Sequence, residues 1–197
     1  SWHALIKYVE SGGTLLITGS LERDPRWRIT QRLAALGLDA APQPLTFRQA
    51  ELDMGTDKLA LSFTFEKQQF IEALAAADGE TFHELSWGKG RIFVASFPVE
   101  LAEGLDAAAA LYSWVLRRAG IEPPFAGTPP SPGVLVRPVV MQESVLYLFV
   151  SESAADEEIN LRDKTTGAEL RFRLPAQRAT LKLLDKHTGK VIAEYVY

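Results

Sequence analysis

The chain has 197 residues, 47% hydrophobic and 23% charged, with no cysteine and a net charge of −4. That length buries a core without covalent staples, and the missing cysteine excludes a disulfide framework, a thiolate zinc site and a Cys nucleophile. The acidic balance, with a pI of about 5.5, speaks against nucleic acid or a membrane surface as partner, and no apolar run approaches the ~18 residues of a membrane span.

Trp2, Leu5, Ile6 and Val9 recur at helical spacing, which predicts a helix over 2–11 that stops at Gly12-Gly13. The chain starts with Ser and reads as mid-fold from its first turn, so the expectation is a piece of a longer protein. Thr14 to Thr18 is a short apolar run bounded by glycines, the pattern of a strand buried on both faces. Asp24-Pro25 has the form of a helix start, predicting a second helix to Leu36 that ends at Gly37. Residues 45–74 are ambiguous, although Leu59, Leu61 and Phe63 alternate as in a strand, and 70–77 leans the same way. Runs 81–87 and 91–97 flank Gly88-Lys89-Gly90, a hairpin signal rather than a phosphate loop. Leu105 to Ala119 carries an amphipathic helical stripe ended by Gly120.

Residues 122–133 hold five of the eleven prolines. Proline fixes φ and removes a backbone donor, so 124–133 reads as a stiff linker between a first domain, 1–123, and a second, 134–197. In the second, strand-like runs at 134–140, 145–151, 158–162, 169–174, 180–184 and 191–196 alternate with turn residues, predicting a compact β-sandwich. The expected architecture is therefore an α/β layer followed by an all-β module.

Reactive groups are sparse. Glu100 lies just beyond the predicted strand 92–97, where open α/β sheets bind ligands, with helix capping or pairing to Arg91 as its structural alternative. Trp87, beside the hairpin turn, is the best candidate for an exposed aromatic, against packing in the core or an interface. Ser20 and His83 do not form a nucleophile elbow or triad spacing, and His83 reads as a sheet-face or edge residue. His3, His83 and His187 are scattered without metal-binding spacing, so no metal and no cofactor are expected.

The stretch Tyr8-Val-Glu-Ser-Gly-Gly-Thr-Leu-Leu-Ile-Thr18 resembles the helix–strand unit of class I glutamine-amidotransferase-like domains. Residues 87–98, with Leu111-Tyr112 and Ala119-Gly120-Ile121, look like the closing hairpin and helix of that flavodoxin-like fold. This version occurs in glycoside hydrolases, including the trimerisation domain of family 42 β-galactosidases, where it follows a catalytic TIM barrel and precedes a small β domain. The resemblance implies a layer incomplete at its N-terminus. The amidotransferase Cys is absent and the glycosidase acids belong to the barrel, so no catalytic residue transfers to this sequence.

The leading expectation is a non-catalytic accessory region of a glycoside hydrolase, packing against an upstream catalytic domain of the same chain or against sister subunits in a homo-oligomer. One alternative is a carbohydrate-binding module using Tyr147, Phe149, Phe172, Tyr195 or Tyr197. Another is a small hydrolase using Glu100 with Ser20 or Ser96 as nucleophile.

Overall fold

A computed structural model describes residues 1–64, 71–128 and 133–197. The chain divides into two units, Ser1–Ile121 and Glu122–Tyr197.

The first unit is built on a three-stranded sheet. Helix α1 (Trp2–Glu10) leads into β1 (Thr14–Thr18), which pairs in parallel with β7 (Gly90–Ala95); β6 (Phe82–Trp87) pairs antiparallel on the other side of β7. The central strand β7 is apolar on both faces. Ile92 and Val94 join α1 residue Val9 in one core, while Phe93 and Ala95 join Leu111 and Val115 of α2 (Asp106–Arg118) in another. Helix α2 carries Asp106 in its first turn and Arg117 and Arg118 in its last, matching the helix dipole at both ends. Two small antiparallel sheets complete the unit: β2 (Ala40–Pro44) with β5 (Glu72–Ala76), and β3 (Gln49–Asp53) with β4 (Lys58–Ser62).

The glycines read from sequence as breakers act here through close approach. A Cβ on Gly90 would lie 2.1 Å from the Gly13 carbonyl oxygen and 2.3 Å from that of Val9. The hairpin turn therefore docks backbone to backbone on the end of α1, with Lys89 N–H donating to the Glu10 carbonyl and Arg91 N–H to that of Gly13.

These observations correct the expected α/β flavodoxin-like layer. Strand makes up 45% and helix 15% of the described residues, in several small sheets. Parallel pairing is confined, among the described residues, to β1 and β7. The helix expected over 24–36 does not form. Asp24 Oδ1 instead accepts the backbone N–H groups of Arg26 and Arg28, Trp27 takes a left-handed φ of 60°, and one 3₁₀ turn covers Ala34–Leu36. An Asx-type turn has captured the aspartate that helix capping would have used. The leaning towards strand at 70–77 matches β5, with Phe70 outside the described residues.

The second unit is all β. Its four-stranded sheet runs β14 (Val191–Val196), β13 (Ala179–Asp185), β10 (Ser144–Ser151), β9 (Val134–Val140). Its three-stranded sheet runs β12 (Glu169–Leu174), β11 (Glu157–Asp163), β8 (Phe125–Thr128). Strict alternation along β10 sends Val145, Tyr147 and Phe149 inward, where they meet Ile159, Leu161, Leu170 and Leu174 from the other sheet in one core. Edge strand β8 falls inside the stretch expected to be a linker. It uses the proline-free residues between Pro124 and Pro129, and proline outside the paired residues costs the ladder nothing. Two hairpin turns repeat one device: Asp163 caps the N–H groups of Thr165 and Thr166 as Asp185 caps those of His187 and Thr188.

Candidate functional site

Glu100 sits in a 3₁₀ turn, Val99–Leu101, just past the end of β7 and beside the end of the parallel strand β1. Thr18 Oγ1, the last side chain of β1, donates to Glu100 Oε2 at 2.7 Å; Tyr112 Oη, from α2, donates to Oε1 at 2.5 Å. Partial burial pushes the Glu100 carboxyl up, but the two hydroxyl donors together hold it below its ordinary value. The same bond, helped by burial, pushes the Tyr112 phenol up to about 12. Both carboxylate oxygens are thus engaged as acceptors, and a carboxyl with a lowered pKa stays ionised near neutral pH, which makes it a poor general acid. The cluster ties the end of β1 to α2. Arg91, the alternative partner for Glu100, bonds instead to Glu84 and to the Arg118 carbonyl.

The remaining sequence candidates lie apart. Trp87 is half-buried against the α1-side core, and its Nε1 donates to Glu10 Oε1 at 3.3 Å. Ser20 Oγ accepts the N–H of Glu22, and Ser96 Oγ is buried without a partner among the described residues. Neither serine is hydrogen-bonded to Glu100 or His83 there. Tyr147 and Phe149 are buried, and Phe172 packs edge-on to Phe149 at 4.8 Å beneath the Lys182 ammonium. Tyr195 and Tyr197 stand in solvent with ring centroids 5.8 Å apart.

A cleft of about 740 Å³ in the first unit has no counterpart in the sequence reading. Glu51, Asp53, Asp78, Glu80 and Glu84 line it with Trp114. It forms where the β3–β4 hairpin, the β5–β6 loop and α2 meet, three elements distant in sequence, so no local motif announces it. Some of its acids are neutralised: Lys58 pairs with Glu51 at 2.7 Å and Asp53 at 3.3 Å, and Arg118 with Glu84 at 2.8 Å. Trp114 presents Nε1 to Asp57 Oδ2 and packs edge-on to Phe82 and Phe93.

Solved structures share this fold. Gan42B, a GH42 β-galactosidase of G. stearothermophilus, matches with a TM-score of 0.61 at 15% identity, over 93% of this chain and 30% of its own. The β-galactosidase of Bacillus circulans sp. alkalophilus matches at 0.57 and 15% identity, over 92% and 30%. That of Rahnella sp. R3 matches at 0.59 and 13% identity, over 93% and 30%. The fold is that of part of a GH42 β-galactosidase. This chain spans under a third of the length of the β-galactosidases it matches. No family model and no curated protein sequence matches it. The likeness to the β-galactosidases is one of fold, and it transfers no residue's role to Glu100 or to the cleft.

Proposed function

We propose that the chain is a non-catalytic accessory region of a glycoside hydrolase, packing against a catalytic barrel or sister subunits. The observation that carries this reading is the asymmetry of coverage: 93% of this chain aligns with 30% of a GH42 β-galactosidase. The chemistry of the first unit agrees with it. Glu100 is occupied by Thr18 and Tyr112, and neither Ser20 nor Ser96 has a base within hydrogen-bonding distance among the described residues.

Both units also carry exposed apolar side chains suited to contact with a larger protein. Trp27 and Ile29 stand out from the turn after β1, and Leu135, Val139, Val191 and Ile192 from β9 and β14. The accessory role is then mechanical: within each unit the apolar core supports these surfaces, and the reaction occurs elsewhere in the assembly. Assay of the chain alone against nitrophenyl galactosides is expected to give no turnover. Robust hydrolysis abolished by Glu100→Gln would overturn the reading, and so would an upstream coding sequence without a barrel.

A second reading, carbohydrate binding, is favoured by one feature, the exposed Tyr195–Tyr197 pair. Affinity electrophoresis in several polysaccharides tests it: retardation lost in Tyr195→Ala supports it, and equal mobility in all of them removes it.

A further inference from the structure

We propose that Asp78, Glu80 and His83 form a binding site for one divalent transition-metal ion of the zinc class. Among the described residues they are the group of three that brings one ligand atom each within 4.8 Å of the others. The loop between β5 and β6 sets them up. Asp78 Oδ1 accepts the N–H of Glu80 at 2.9 Å across Gly79, whose φ of 77° makes the turn. The other oxygen, Oδ2, is directed to His83 Nδ1, 3.9 Å away, and Glu80 Oε2 lies 3.6 Å from the same nitrogen.

Those separations are too long for hydrogen bonds but suit shared coordination. Two ligands each ~2.1 Å from a tetrahedral ion lie ~3.4 Å apart, so the two His83–carboxylate separations need shifts of a few tenths of an ångström, and the two exposed carboxylates can draw together around the ion.

His83 supplies the independent reason to look for a ligand. Its side chain is only 7% exposed, yet Nε2 is buried with no partner and Nδ1 faces the two carboxylates without a hydrogen bond among the described residues. Buried polar groups are normally satisfied, and a buried ring whose Nε2 has no partner and whose Nδ1 meets only carboxylate oxygens beyond hydrogen-bond length requires an explanation. The carboxylates meet no Lys or Arg in an ion pair among the described residues, unlike Glu51, Asp53 and Glu84 of the same cleft. A dication would balance two negative charges and take up the Nδ1 lone pair in one step. One imidazole with two carboxylates suits zinc better than calcium or magnesium, which prefer all-oxygen shells. Three protein ligands leave a fourth position for water, and both carboxylates are exposed on the cleft wall, giving the ion a path in.

The test is calorimetric titration of the chelator-treated chain with zinc chloride at pH 7.5, alongside thermal unfolding with and without zinc. One ion per chain and a raised unfolding midpoint, reversed by EDTA, are expected. Asp78→Asn with Glu80→Gln, both at exposed positions, should weaken binding at least ~10-fold, as should His83→Gln, whereas His187→Gln should leave it unchanged. No binding by the parent chain, or binding unchanged in the Asp78/Glu80 double variant, would overturn the proposal.

Discussion

Tyr147 donates its hydroxyl hydrogen to Asp163 Oδ2 at 2.6 Å inside the core of the second unit. Asp163 is 2% exposed, and its other oxygen caps the hairpin turn through Thr165 and Thr166. Burial raises the Asp163 carboxyl, but the tyrosine, the turn amides and the Thr166 hydroxyl outweigh it and hold the group below its ordinary value. A depressed carboxyl stabilises the fold above its unfolded pKa of ~3.9, and that contribution is lost as pH falls through the folded value. Hydrogen exchange at the Leu161 and Leu170 amides should therefore quicken from pH 5 towards acid beyond the intrinsic trend, and Asp163→Asn should remove the excess. Tyr147→Phe leaves the buried carboxylate short of a donor and should cost about 1–3 kcal/mol in urea unfolding.

The contact between Gly90 and the carbonyls of Val9 and Gly13 yields a second expectation. Both colliding atoms are backbone, so Gly90→Ala cannot be absorbed by a rotamer change. Separating the hairpin from α1 would break the Arg91–Gly13 and Lys89–Glu10 bonds and open the core around Val9. A loss of about 3 kcal/mol is expected. Gly55→Ala is the control: its φ of 82° is unfavourable but nothing lies within 4 Å, and about 1 kcal/mol is expected. Equal losses in the two variants would contradict the steric account.

Glu100 and Tyr112 can be separated spectroscopically. The largest cause of the rise in the Tyr112 pKa to about 12 is its bond to the Glu100 carboxylate, with burial second. Glu100→Gln should bring the phenol back towards ~10 while leaving α2 intact. Ultraviolet titration of the parent and variant reads this directly against the other tyrosines. A Tyr112 transition unmoved by the substitution would mean that burial alone sets it.

Period and punctuation were legible wherever structure is local. The alternation in 145–151 reappears as the in–out pattern of β10, and Gly88-Lys89-Gly90 as the β6–β7 turn. Misreading began where one residue served two local motifs. Asp24 fits a helix N-cap and an Asx turn equally in sequence, and the choice depends on distant partners: Arg23 is held by Glu72, while the buried Glu22 carboxylate takes the N–H groups of Arg32 and Leu33. Those bonds fix 22–33 as a loop. The same limit hid the cleft, since Glu51, Asp78 and Glu84 come from separate elements. His83 was legible as a sheet residue. The pairing of its Nδ1 with two carboxylates was not, because it depends on what the β5–β6 loop places in front of the ring.

Lys182 occupies an inward position of β13, between Thr180 and Leu184 in the alternation, and still reaches a charge. Its ammonium lies 2.5 Å from Glu194 Oε1 on β14 and 4.2 Å above the Phe172 ring. The stem is buried while the head is held at the rim, so the residue packs as an aliphatic chain with a polar end. Removing the charge from each side should therefore have different effects. Glu194→Gln leaves the ammonium beside apolar surface with only the ring for compensation, and a loss of about 1–2 kcal/mol is expected. Lys182→Met keeps the stem's volume, removes the cost of desolvating the charge and leaves Glu194 free to face water, so stability should change by less than about 1 kcal/mol. The double variant should match Lys182→Met alone if Glu194 matters only through the lysine. Urea unfolding of the three variants checks this, and a larger loss in Lys182→Met than in Glu194→Gln would contradict it and show that the ammonium contributes beyond the ion pair, through the Phe172 ring.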